Sequence, residues 1–460
     1  MAVIGRHRLL ACLLVPALAL RVVVSLAYRP ALLFSEDSYW YLHAATRHHL
    51  NHIRPYGYSA FLIPLLKIHG LSVIPIVQHL LGLVTAVLLY ALLRRLGVGS
   101  ILACVGAAPL LFDPLVLDLE QEVMAETLFA LLTVCAFLVL FSVPRPAVGR
   151  AALVGLLLAA VALTRTIGLV LVVPPLLYLV VRRRFLPAAV MAVVVILPLI
   201  GYAAVFKAEF GHFGLTSSDG RFLYGRIAPF ADCSGLSLPQ YERELCPDQG
   251  TIHPPYWYTW RSGSPLARVK PPPGVSVDGV ARDFALRIIV HQPVDYAHMV
   301  ADGLIDFAEP GRTQHALAAR AATWEMPSAA NREAPTPHQR SAYVRYGGRF
   351  ATLGWAADAM HRYQYWIYTP GPLLALAVLA ALAGSAVGMR NNGGGLECLV
   401  LLLAGMALVV VPLATVIFSY RYLEPGLVLL PAAGALGADL VLRRRREPSG
   451  ELAPAETVEA

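Results

Sequence analysis

Ten apolar stretches run along the chain, at 9–28, 71–93, 101–118, 123–143, 151–164, 166–181, 185–206, 367–388, 396–418 and 424–442. A helix of about 20 residues crosses the hydrocarbon core of a bilayer. Backbone polar groups in lipid must be satisfied within the spanning segment. The pattern therefore predicts an all-α polytopic membrane protein. Composition agrees: 57% of residues are hydrophobic and 14% charged, against about a quarter charged in a soluble domain. The net charge of +8 does not point to nucleic acid. It lies in short arginine clusters between the apolar stretches, as expected of cytoplasmic loops.

Those clusters set the topology. The run 151–181 reads either as one long helix or as two short ones broken at Thr164-Arg165-Thr166. With two helices, Arg6/Arg8, Arg94/Arg95, Arg145/Arg150, 182–184, Arg390 and 443–446 all fall on one side. With one helix the last three clusters change sides, against the positive-inside rule. Two helices are predicted, although each reaches only about 21–24 Å at about 1.5 Å per residue. The first stretch carries Arg21 and lacks a small-residue cleavage site, so it reads as an uncleaved span. Four segments follow: a seven-span module at 1–206, an extracytoplasmic domain at 207–365, three spans at 366–446, and a disordered cytoplasmic tail at 447–460. Both termini are predicted to be cytoplasmic, in the plasma membrane. The 207–365 segment is Pro-, Gly- and aromatic-rich (HPPYWYTW at 253–260) and reads as loop-rich, with helices at 280–290 and 293–307 along the membrane surface. Residues 310–350 read as mobile.

The stretch 34–66, FSEDSYWYLHAATRHHLNHIRPYGYSAFLIPLL, follows the first span. Charges at a bilayer are costly to bury and mark polar pockets. Ser35 is a fair N-cap, with Glu36 and Asp37 in the first helical turn. Pro55 places the helix end near Ile53. Asp37/Tyr41 and His43/Arg47 are i,i+4 pairs that share faces. The same stretch also reads as an amphipathic interfacial helix without chemistry. The following run 55–66 is too short to cross and reads as interfacial or re-entrant.

Five carboxylates, Asp113, Asp118, Glu120, Glu122 and Glu126, occur in one turn. The first three suit a helix end and a solvated turn. Glu126 lies among residues of the next apolar helix, which makes it a functional candidate; the competing reading is an N-terminal acid on the helix dipole. Arg165 reads as a snorkelling surface arginine or as a phosphate ligand, since guanidinium matches phosphate geometrically. Arg421-Tyr422 in SYRYLEP repeats that logic, and Arg54 is a weaker candidate. His43, His48, His49 and His52 show no metal-ligand spacing, so no metal site is assigned. Cys233 and Cys246 share the outer segment and are a disulfide candidate in an oxidising compartment.

Several motifs stand in a familiar order: SEDSYWYLHAA, RPYGYSAFLIPLL, VMAETLF, an ALTR break, and RYLEPGLVLLPAAGAL. Together they resemble the GT-C superfold of polyprenyl-phosphate-sugar-dependent membrane glycosyltransferases. The likeness is to the protein mannosyltransferase and aminoarabinose transferase branch. HQPVDYAHMVADGLIDF and YTPGPLLALAVLAAL are similar to segments of actinobacterial members. The resemblance covers roughly 9–206 and 366–442. It implies a GT-C-type bundle of about ten transmembrane helices, with a loop-rich extracytoplasmic domain inserted before the last three. It further implies that Asp37 is the general base or positions the acceptor, and that Glu126 orients acceptor or donor sugar. Arg165 and Arg421 would take the donor phosphate, and Tyr422 the sugar or lipid. Glu36, Tyr41, His43 and Arg54 are added to the substrate-binding set, Tyr41 and His43 with no family role to carry over, and the choice of base between Glu36 and Asp37 is open.

The expected activity is inverting transfer of one sugar from a polyprenyl-phosphate donor to an acceptor hydroxyl on the extracytoplasmic face. The acceptor would be a cell-wall polysaccharide, a glycolipid or a protein, and membrane lipids are the other partners. No nucleotide sugar and no cofactor are firmly implied, and a divalent cation stays open. A transporter or lipid-linked-sugar flippase, and a non-catalytic cell-envelope scaffold, are the competing classes. A transporter predicts charged or broken helices near mid-bilayer in related halves, whereas the charges here gather at one face and the halves look unrelated.

Overall fold

The computed structural model describes residues 7–248, 252–311, 324–330, 336–391, 393–417 and 419–446; the tail at 447–460 lies outside the described residues. Every apolar stretch folds as helix. The first half contributes α1 (Arg8–Ala27), α2 (Ser35–Arg47), α3 (Gly57–His69), α4 (Val73–Arg95) and α5 (Ser100–Phe112). It continues with α6 (Pro114–Gln121), α7 (Glu126–Leu140), α8 (Val148–Thr164), α9 (Val173–Val181) and α10 (Phe185–Phe210). The segment from 207 holds α11 (Asp219–Ile227), α12 (Pro255–Trp260), α13 (Val277–His291), α14 (Pro293–Ala308), α15 (Pro337–Tyr346) and α16 (Gly354–Trp366). The chain closes with α17 (Gly371–Arg390), α18 (Gly395–Thr415) and α19 (Glu424–Arg446).

Among the described residues, six helices are long and apolar enough to cross a membrane, and the pair α5–α6, bent by 47°, makes a seventh if counted as one span. The stretches 123–143, 151–164 and 166–181 become shorter apolar helices. Residues such as Val15 on α1 and Leu197 on α10 are 70% and 62% exposed. Apolar side chains in such numbers on the outside suit lipid, not water.

α19 packs against α17, α18 and α5. Its contact with α17 depends on small residues: a Cβ on Gly384 would stand 2.2 Å from the Cα of Gly437, so the two backbones touch as small-residue membrane interfaces do. Residues 57–66 lie in α3, which passes through a turn at Gly70–Ser72 directly into α4. Gly70 adopts φ 61°, and a Cβ there would meet the carbonyl of Tyr346 at 2.2 Å.

The acidic turn is not solvated. Asp113 does cap a helix, accepting from the Leu115 amide at 3.0 Å, but α6 is buried along its length. Glu120 lies 2.8 Å from Arg21 Nη2 and 2.7 Å from His79 Nδ1. Arg21 also donates to the carbonyls of Leu110 and Leu111. Distant partners on α1 and α4 thus make the buried charge tolerable.

The 207–365 segment has its own apolar core around Tyr224, Tyr258 and Phe284. Cys233 and Cys246 are joined there by a disulfide of 2.08 Å. α14 lies against α17 and α18. Part of the 310–350 stretch is ordered, contrary to the composition-based expectation. Thr336 and Gln339 form a capping box that opens α15, and Gln339 and Tyr343 donate to the carbonyls of Leu33 and Ala31. Residues 312–323 and 331–335 of that stretch lie outside the described residues. Tyr28–Arg29 pairs antiparallel with Ala351–Thr352, and Leu32 bridges Glu122. These contacts hold the connection between α1 and α2 in place.

Candidate functional site

α2 starts one residue earlier than its sequence suggests. Ser35 is the first helical residue, Phe34 is the cap, and the Phe34 amide donates to Ser38 Oγ at 2.8 Å. Ser38 Oγ donates in turn to the carbonyl of Val123 at 3.0 Å, which ties this helix start to the head of α7. The helix also stops short of Ile53. His48 takes a left-handed conformation (φ 54°) and ends it after Arg47. Asn51 then organises the turn, its Oδ1 accepting from the Ile53 and Arg54 amides at 2.6 and 3.1 Å. This Asx turn sends the Arg54 side chain back towards Asp37.

Five charged side chains from five separate regions meet there. Arg54 Nη2 lies 2.9 Å from both oxygens of Asp37, with Nε 3.2 Å from Oδ1. Asp37 Oδ2 receives Arg421 Nη1 at 2.5 Å. The Nε of the same arginine donates to Glu126 Oε1, and Arg165 Nη1 is 2.9 Å from that oxygen. The order is Arg54, Asp37, Arg421, Glu126, Arg165: three cations alternating with two anions, with one positive charge in excess. Burial favours a neutral Asp37, but Arg54 and Arg421 outweigh it and hold the carboxyl down at about 2. Burial likewise opposes the charge on Arg54, and Asp37 more than restores it, leaving its pKa raised.

Each arginine has a local reason to be where it is. Arg165 sits in extended conformation between α8 and a 3-10 segment, Thr166–Val172, so the helical break delivers it; its guanidinium lies over the Phe129 ring at 5.6 Å. Arg421 belongs to a 3-10 turn, Tyr420–Leu423, and its guanidinium lies over Phe34 and Trp324 at 5.9 and 5.7 Å.

Two cavities flank this row of charges. One, of about 680 Å³, is walled by Asp37, Arg54, Arg421 and Tyr422 together with aromatics that include Trp40, Phe222, Tyr256 and Trp260. The other, of about 490 Å³, has Tyr41, Arg54, Arg165 and Tyr422 beside the aliphatic wall of Ile167, Leu169, Val170, Leu408 and Val411. Arg54, Phe222 and Tyr422 line both.

The structure thus brings together Asp37, Tyr41, Arg54, Glu126, Arg165, Arg421 and Tyr422. Glu126 has no exposed surface and lines neither cavity; it meets the row of charges through Arg165 and Arg421. His43 also lines neither cavity. It stacks on Tyr39, and burial, then Arg47, lowers its pKa. The side chain of Glu36 lies outside the described residues. Among the described residues no group of three or more His, Cys, Asp or Glu is placed to hold a metal ion.

Sequence reasoning missed three contributors. Glu424, buried at the head of α19, stands within electrostatic reach of Glu126 and Arg165; an acid opening an apolar helix was the available signal. Trp40 and Trp260 line the larger cavity, and nothing local tells a wall tryptophan from an interfacial one.

Two crystal structures of ArnT from Cupriavidus metallidurans are similar to the chain. The one bound to undecaprenyl phosphate has a TM-score of 0.38 at 15% identity, covering 95% of this chain and 79% of its own. The apo structure gives 0.37 at 16% identity, with coverages of 96% and 78%. No family model matches, and no curated protein matches. Likeness at this level identifies no family, and the functional reading rests on the geometry of the chain itself.

Proposed function

We propose that the chain is an inverting membrane glycosyltransferase that moves one sugar from a polyprenyl-phosphate donor to an acceptor hydroxyl at the extracytoplasmic face. The observation that carries this reading is the row Arg54–Asp37–Arg421–Glu126–Arg165 placed between an aliphatic and an aromatic cavity. The order of motifs along the chain, which resembles the GT-C transferases, and the positive-inside topology agree with it.

The donor's lipid tail takes the aliphatic cavity, and its phosphate lies against Arg165 and its neighbours, where guanidinium pairs with phosphate oxygens. The acceptor enters from the aromatic side. Its hydroxyl oxygen attacks the anomeric carbon, and its proton passes to Asp37. The bond from that carbon to the phosphate oxygen breaks, and the electron pair leaves with the phosphate. Configuration inverts, and the arginines stabilise the added negative charge on the departing polyprenyl phosphate.

The resting site explains how such a base is kept. With two arginines on it, Asp37 is a weak base at neutral pH. A phosphate that draws Arg421 or Arg54 towards itself loosens those contacts and strengthens the base only when donor is present. Glu126 holds Arg165 and Arg421 in place through its carboxylate. The test is to incubate the purified full-length protein, in detergent or nanodiscs, with a panel of polyprenyl-phosphate sugars and to assay released polyprenyl phosphate. Release that depends on Asp37 supports the reading; absence of release and of donor binding across the panel overturns it.

A further inference from the structure

The aromatic cavity has a construction of its own. α12 is anchored by the middle of its sequence: Tyr258 is buried in the 207–365 core, edge-on to Tyr224 at 6.3 Å. Two residues to either side, Tyr256 and Trp260 turn the other way, into the cavity, and stay 42% and 49% exposed. The Trp260 ring is packed by its neighbours. Arg221 lies over it at 5.2 Å, Phe222 meets it edge-on at 5.8 Å, and Arg221 Nη1 ties down the carbonyl of Thr259 at 2.8 Å. α11 and α12 are in close contact as well, since a Cβ on Gly225 would stand 2.1 Å from Thr259 Oγ1. Across the cavity Trp40 is braced edge-on by Tyr39 and His52, at 5.5 and 5.7 Å. Trp40 projects from the same helix as Asp37.

From this we infer that the acceptor is a carbohydrate chain, laid along the platform of Trp260, Tyr256 and Trp40 with its terminal hydroxyl at Asp37. The inference rests on the transferase reading and adds the acceptor class to it. Fixed, half-exposed aromatic faces suit the apolar C–H face of a sugar ring. The polar lining between them (His52, Arg54, Ser419) suits its hydroxyls. The volume of about 680 Å³ falls within the range of small-molecule sites, about 300–1,000 Å³, enough for more than one sugar ring. A lipid tail would have no use for that polar lining, and the neighbouring aliphatic cavity is better suited to it. An extended peptide paired by its backbone would need partners in register; rings carried on two helices, α12 and α2, provide none.

Binding decides the matter. Full-length protein in nanodiscs is titrated with linear tetrasaccharides of mannose, glucose, galactose or arabinose, and with a serine/threonine-containing peptide, using intrinsic tryptophan fluorescence and calorimetry. A polyprenyl-phosphate sugar is titrated into the same preparations. At least one tetrasaccharide is expected to bind the wild type, to bind Trp260→Ala about tenfold more weakly, the scale of one lost aromatic contact, and to recover in Trp260→Phe. Tetrasaccharide affinity equal in wild type and Trp260→Ala overturns the proposal, as does binding of the peptide alone or of no tetrasaccharide. The donor arm separates the two claims. If donor binds and no glycan does, the acceptor assignment falls and the transferase reading stands; if donor does not bind either, both fall.

Discussion

Asp37 Oδ2 and Arg421 Nη1 meet at 2.5 Å although they stand 384 positions apart in sequence. The contact joins the connection after the first helix to the turn before the last. Both side chains are buried, so neither charge is tolerable without the other. The pair thus fixes where the two ends of the chain meet and, in the transferase reading, where base and phosphate ligand meet.

Replacing the carboxylate by its amide separates those roles. Asp37→Asn keeps the shape of the side chain and removes its charge. Transfer is expected to fall by about 10²–10⁴-fold, the usual contribution of a positioned general base, while size-exclusion behaviour in detergent stays that of the wild type. Turnover near the wild-type rate in a well-folded Asp37→Asn protein would exclude Asp37 as the base and favour a scaffold.

In the transferase reading, Glu126 and Arg165 act on binding rather than on proton transfer. Arg165→Ala removes a cation from the aliphatic cavity, and donor KM is expected to rise about tenfold or more, as for loss of a charge-assisted contact. Glu126→Gln leaves the cavity wall intact but loosens Arg165 and Arg421, so it should raise donor KM and lower kcat less than Asp37→Asn does. Steady-state kinetics at varied donor checks both. A Glu126→Gln enzyme as inactive as Asp37→Asn, with donor KM unchanged, would show that Glu126 takes part in the chemistry itself.

The same pair predicts how acid acts on stability. Asp37 has its carboxyl held down from 3.8 to about 2, so its ionised form is favoured by folding. That contribution, about 2 kcal/mol by proton linkage, is fully present above the unfolded value. It fades as pH falls from about 4 towards 2. Thermal unfolding in detergent should be insensitive to this group between pH 7 and 5 and should show a component lost below 4. That component should be missing from Asp37→Asn; an identical acid profile in the two proteins would contradict the assignment.

Much of this arrangement was legible in sequence because it depends on local signals. Apolar length marked the helices, and charge parity placed a break at Thr164–Thr166 that the structure fills with an extended Arg165. An acid at the head of an apolar helix picked out Glu126. The failures are non-local. Asp113, Asp118 and Glu120 looked like a helix end and a solvated turn because Arg21 and His79, which compensate Glu120, lie on other helices. Pro55 looked like the terminator of α2, whereas a left-handed His48 stops it earlier and lets Asn51 turn Arg54 onto Asp37. Trp260 becomes a cavity wall only because Tyr258 is anchored in a core built from α11 and α13.

The side of the membrane on which this site lies can be read from one thiol. Cys233 and Cys246 are bonded across a separation of 13 residues, and disulfides persist in oxidising compartments. Closing a loop of that size stabilises by up to about 3 kcal/mol, so reduction should lower the unfolding temperature of the purified protein. Cys246→Ser frees Cys233, which is partly exposed. In intact cells a membrane-impermeant maleimide should label this variant above the wild-type background if 207–365 lies outside, as the positive-inside rule predicts. Labelling that appears only after permeabilisation would invert the topology and move the site to the cytoplasmic face, where a polyprenyl-phosphate donor presented from outside could not reach it.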